Sequence, residues 1–139
     1  MAMNYLAILV ATIANYVLGA LWYGPLFGKI WIKEMGWNEK KLKEMQTPQM
    51  KRKIMRSYIG MFITSLIMVG VLAYILSLIG SATILQTMTV ASLIWLGFLA
   101  TTGLGSIFWE SKSLRLYTLN AGYQLVGLLI IAAILGAWQ

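Results

Sequence analysis

The sequence predicts an all-α membrane protein with four transmembrane helices, and its apolarity, the spacing of its charges and the clustering of its bases carry that reading. Of its residues 60% are hydrophobic and 11% charged, with a mean hydropathy of +0.77. Such values lie outside the usual range of a water-soluble domain. Residues 1–28 carry no charge, 29–56 carry nine of the eleven Lys and Arg, and 57–109 carry none. A helical span needs about 20 apolar residues. The 139 residues therefore hold four spans and one compact connection as a single integral-membrane domain, with no room for a separate soluble enzyme.

The first span is expected at 4–27. It is not read as a cleaved signal peptide, because no basic segment precedes it, the apolar run is too long and no small-residue cleavage site stands out. Ala7, Ala11, Asn15 and Gly19 recur at four-residue spacing, and "GPLFG" adds the pair Gly24 and Gly28. Ala7, Ala11, Gly19, Gly24 and Gly28 are accordingly the expected helix-packing positions, since small residues let backbones approach closely in a membrane. Pro25 removes a helical hydrogen bond and clashes with the preceding turn, so a kink is expected there. Trp22, Tyr23, Trp31 and Trp37 flank the break, and amphipathic rings favour the interfacial level of a bilayer.

Residues 28–56 form the basic connection. Asn38 is placed to cap a short helix with Glu39 in its first turn, and Thr47 to cap a second whose first position is Pro48. No breaker follows until Gly60, so the second helix is expected to project beyond the membrane. In "PQMKRKIMRSY" the residues Met50, Ile54 and Tyr58 share one face, with Lys51, Arg52, Lys53 and Arg56 around the rest. This amphipathic basic pattern suits anionic lipid headgroups.

The second charge-free stretch, at 53 residues, is too long for one helix. "IGSATILQT" (79–87) supplies a Gly-Ser turn, dividing the stretch into spans at 57–79 and 87–109. The charged link "ESKSLR" (110–115) offers an interfacial ion pair between Glu110 and Arg115, and the fourth span is expected at 116–138. Both charged connections then lie on one side, which the positive-inside rule assigns to the cytoplasm. Both termini are expected outside. The formal charge of +7 is better explained by lipid headgroups than by nucleic acid.

The chain has no His and no Cys, and no carboxylate falls inside a span. No catalytic residues, metal site or cofactor are therefore expected, and the protein is not read as an enzyme. The polar residues within the spans include Asn15, Thr102, Asn120 and Gln124, which should point inward because polar groups in lipid must find partners. Two functions follow. One is a noncatalytic scaffold or lipid-interacting protein with a basic working surface. The other is a small channel or transporter, homo-oligomeric, with a path lined by those four residues.

Two segments carry a family resemblance. The first is "NYVLGALWYGPLFGKIWIKEMG" (15–36), with Gly19, Trp22, Tyr23, Pro25, Phe27, Gly28, Lys29 and Trp31 as its specific residues. The second is "LRLYTLNAGYQLVGLLIIAAILGAW" (114–138), with the Asn-Ala-Gly-Tyr element at Asn120 to Tyr123. With the four-span layout between them, they resemble the bacterial and archaeal membrane family named domain of unknown function 1761. The resemblance implies the four-span fold and no established activity. Members often have a histidine after that tyrosine, where this chain has Gln124. The small multidrug resistance exporters share the size and span number but need a glutamate in the first helix, where this chain offers only Thr12 and Asn15.

Overall fold

The computed structural model describes residues 4–138, and every regular element among them is helical. Four segments are long and apolar enough to cross a membrane: Tyr5–Leu26, Pro48–Ile79, Ile84–Phe108 and Leu114–Ala137. Local chemistry sets where each begins. Helix α1 (Tyr5–Leu21) starts at Asn4, whose side chain accepts from the Ala7 amide at 3.1 Å. It passes into a π-helical turn at Trp22–Leu26, followed by the short helices α2 (Gly28–Glu34) and α3 (Glu39–Glu44). The side chains of Asn38 and Thr47 accept from Lys41 and Met50 amides as expected, and α4 (Pro48–Ile79) opens on its proline. At 32 residues, α4 is about 48 Å long against a hydrocarbon layer of about 30 Å. One end must stand clear of such a layer.

Gly80, at φ 76°, closes α4 in the left-handed conformation, and the Ser81 amide returns to the Leu76 carbonyl at 3.1 Å. The next helix, α5 (Ile84–Ile94), begins three residues before the expected 87. Thr83 accepts from the Gln86 amide while the Gln86 side chain accepts from the Ala82 amide at 2.9 Å, so residues that read as a turn are a helix cap. A π-helical turn at Trp95–Ala100 carries the chain into α6 (Thr101–Gly103) and α7 (Gly105–Phe108). Ser113 then caps α8 (Leu114–Ala137).

Helix α8 is central, packing against α1 on one side and α5 on the other. Its Leu128, Ile131, Ala132 and Leu135 meet Ala7, Ile8 and Ala11 of α1, Ala91 of α5, and Val69, Leu72 and Leu76 of α4 in one core. Two glycines on α8 mark the closest crossings. A Cβ at Gly127 would lie 2.5 Å from Asn15 Oδ1, and one at Gly136 would lie 2.5 Å from Thr87 Oγ1 and 2.9 Å from Ile84 Cα. Thr87 is fully buried at that crossing and donates to the Ala132 carbonyl at 2.7 Å. Asn4 Nδ2 donates to the Trp138 carbonyl at 2.9 Å, which brings the start of α1 and the end of α8 to the same end of the bundle. The charged connections meet at the other end, where Ser113 Oγ donates to Glu34 at 2.6 Å.

Candidate functional site

Pro25 disfavours helical geometry in the residue before it as well as in the turn it interrupts. The backbone accordingly leaves the helix at Gly24 (φ −107°, ψ −106°), inside the π-helical turn. The bend brings the aromatic residues around it onto the first half of α8. Trp22 Nε1 donates to the Leu119 carbonyl at 3.1 Å, and Tyr23 Oη donates to Asn120 Oδ1 at 2.6 Å. Tyr123 Oη reaches back to the Asn15 carbonyl at 3.2 Å, passing over Gly19, where a Cβ would stand 2.9 Å from that hydroxyl. The two segments that carry the family resemblance, far apart in sequence, form one joint.

Trp22, Tyr23, Trp31 and Trp37 are all half-buried. They stack within the chain: Tyr23 meets Tyr123 and Trp31 edge to face at 5.3 and 5.7 Å, Trp31 meets Trp37 at 4.9 Å, and Trp22 tilts onto Phe27 at 4.7 Å. Edge-to-face pairs are favourable beyond the area they bury. The cluster locks the bend of α1 to α8 and to the start of the basic connection.

Ala7, Ala11 and Asn15 are buried, and with Gly19 they form one continuous packed stripe on α1. The Gly24–Gly28 pair does not extend it. Gly24 is exposed, with nothing within 4 Å of its would-be Cβ, and Gly28 is buried, where a Cβ would stand 2.7 Å from the Tyr23 carbonyl oxygen of its own chain. Four-residue spacing aligns two glycines only along an unbroken helix, and the bend at Gly24 ends that alignment.

The polar residues of the spans also separate. Asn15 is buried and donates to Ser65 Oγ of α4 at 3.2 Å, and Asn120 is held by Tyr23. Thr102 is exposed, its hydroxyl on the Phe98 carbonyl of its own turn, and Gln124 is exposed. The expectation that all four are turned inward is therefore corrected for Thr102 and Gln124 within the single chain. A threonine can satisfy its hydroxyl on the carbonyl four residues back, so it needs no inward partner. The expected Glu110–Arg115 ion pair is likewise not formed among the described residues. Both side chains are exposed, where a single ion pair is worth little, and the carboxylate bonded across elements at this end is that of Glu34. Lys51, Arg52, Lys53 and Arg56 are exposed along the first turns of α4.

Three contributors went unrecognised in the sequence. Trp95 Nε1 donates to the Ala121 carbonyl at 2.9 Å, and Tyr117 Oη donates to the Ala100 carbonyl at 2.6 Å. Together with Trp22 they place bonds on both flanks of α8. Ser65 is the third. The signal of Trp95 and Tyr117 was present, since an indole or phenol within an apolar run must find an acceptor, but their acceptors are backbone carbonyls, which no residue type reveals, while Ser65 accepts from the Asn15 amide. No curated protein and no solved structure matches this chain. The family model described as a protein of unknown function, DUF1761, matches residues 6–136, a span that includes the whole aromatic joint, and the chain belongs to that family.

Proposed function

We propose that this protein is a noncatalytic scaffold of the prokaryotic cytoplasmic membrane whose basic cytoplasmic face engages anionic lipid headgroups, with both termini outside. The observation that carries the reading is the exposure of Lys51, Arg52, Lys53 and Arg56 on a helix that continues without a break into a membrane-length segment. A base on such an extension stays near the headgroups, and each one there contributes about 1 kcal/mol at an anionic surface. The absence of His and Cys from the sequence and of carboxylates from its spans supports a noncatalytic role. The engagement of Asn15, Tyr23, Asn120 and Tyr123 in bonds between helices supports a scaffold over a conducting path. Self-association belongs to the same reading, supported by the uncovered apolar stripe of Ile59, Ile63, Ile67 and Val71 on α4.

The test uses the full chain in nanodiscs of zwitterionic lipid, mixed with vesicles containing phosphatidylglycerol. Vesicle capture should weaken about fivefold for each base neutralised among Lys51→Gln, Arg52→Gln, Lys53→Gln and Arg56→Gln. It should also weaken as salt shortens the screening length. Capture indifferent to both charge and salt would sink the reading.

A further inference from the structure

Leu128, Ile131 and Leu135 lie four, seven and eleven residues beyond Gln124, on the same stripe of α8. Those three are buried in the core that also holds Val69, Leu72 and Leu76 of α4, Ile131 completely, whereas Gln124 is exposed. The interior of the bundle is thus closed over one half of α8 and open over the other. At the level of this crevice Tyr23 is bonded to Asn120 and Trp95 to the Ala121 carbonyl. At this level α4 leans on α1, with Phe62 against Tyr16 at 5.9 Å.

Depth decides what fills the crevice. Between Leu114 and Gln124 the helix rises about 15 Å, half of a hydrocarbon layer of about 30 Å. The Gln124 amide has no hydrogen-bond partner among the described residues, and the Asn120 amide nitrogen has none either, its oxygen taking the Tyr23 hydroxyl. No buried side-chain polar atom among the described residues lacks a partner, so the Asn120 nitrogen is also open to the crevice. Acyl chains offer neither donor nor acceptor, and lipid ester groups lie at the interface, beyond the reach of a glutamine at this depth.

We propose that this crevice is a water-filled vestibule, open toward the charged end of the bundle and closed beyond it by the apolar plug of Leu72, Leu76, Leu128 and Ile131. Its amides, phenol and indole carry no formal charge, so the solutes it admits with water are small, uncharged and hydrogen-bonding. The vestibule ends at the plug, which distinguishes it from a through-going path.

The chain has no cysteine, so single-cysteine variants react without background. Gln124→Cys is compared in liposomes with Leu93→Cys, using a membrane-impermeant sulfonated methanethiosulfonate. The Trp95–Ala121 bond sets α5 and α8 level, and Leu93 and Gln124 lie two and three residues beyond that bond toward the plug. Leu93 is exposed, two residues from the fully buried Ala91 and hence on the far side of α5. Gln124→Cys should react about tenfold faster, from the side that labels Ser57→Cys, because the reactive thiolate needs water. Asn120→Cys, one turn nearer the charged end, should react as well, and decides the matter alone if Gln124→Cys fails to fold. Rates no faster than that of Leu93→Cys, with all variants reacting after denaturation, would overturn the vestibule. So would labelling from the opposite side only, or a disulfide between two Gln124→Cys chains, which would put a second copy in the crevice.

Discussion

The Tyr23 hydroxyl and the Asn120 amide share one hydrogen bond across 97 residues of sequence, and membrane hydrogen bonds of this kind average about 0.6 kcal/mol. Tyr23→Phe and Asn120→Leu should each lower stability by about that amount, and the double variant should cost no more than the larger single one. Full additivity in thermal or denaturant unfolding would show that the bond contributes nothing. Gly127 has a larger effect, because a methyl there meets Asn15 Oδ1 at 2.5 Å in a position already bonded to Ser65. Gly127→Ala should cost about 1–3 kcal/mol by overpacking. Gly24→Ala, with open space around it, should change stability by less than about 0.5 kcal/mol. The reverse order would place the packing face at the Gly24–Gly28 pair after all.

At the scale of elements, the starts of the four long helical segments have an identifiable chemical cause in Asn4, Thr47, Thr83 and Ser113. Among the described residues Thr83 is the side-chain cap of α5, and Gln86 completes it by accepting from the Ala82 amide. Thr83→Ala should therefore cost about 1 kcal/mol, with faster amide exchange confined to the first turn of α5. Uniform acceleration through Ile84–Phe108 would mean that the cap holds the whole helix in place. The bend at Gly24 positions the aromatic joint, and Pro25→Leu should restore a regular helix there. Loss of Trp22 and Tyr23 contacts to α8 would follow, seen as altered tryptophan fluorescence. An unchanged spectrum would transfer the cause of the bend from Pro25 to the aromatic packing itself.

For the whole molecule, Asn4 on Trp138 and Ser113 on Glu34 establish that the helix ends sort into two groups, one of them carrying the charges. The positive-inside rule is the ground for the proposed orientation of that arrangement. In intact cells, Ala82→Cys should label from outside, and Ser57→Cys and Ser111→Cys only after access to the cytoplasm. All three positions are exposed, whereas the neighbouring Ser81 is buried and unsuited to labelling. A reversed pattern would overturn the charge argument and, with it, the cytoplasmic placing of the basic helix. Mass measurement in lipid-like detergent tests self-association, for which a strict monomer is the excluding result.

The sequence by itself determined the elements. Charge spacing and apolar length mark four spans, and Asn38, Thr47 and Pro48 act within a turn of where they stand, so their roles at helix starts were legible without knowledge of the fold, whereas Gly80 was legible only as part of a turn. The spacing of Ala7, Ala11, Asn15 and Gly19 likewise announced a packed face. Partners were decided only by the tertiary structure. Gly24 and Gly28 read as a packing pair until the bend separated them, Thr102 and Gln124 read as inward until the helix rotations turned one onto its own carbonyl and left the other in an open crevice, and Trp95 gave no hint of Ala121. Capping and hydropathy depend on neighbours within a few residues. Which carbonyl an indole finds, or which glycine lies beneath an asparagine, depends on helix crossings set by the whole core at once.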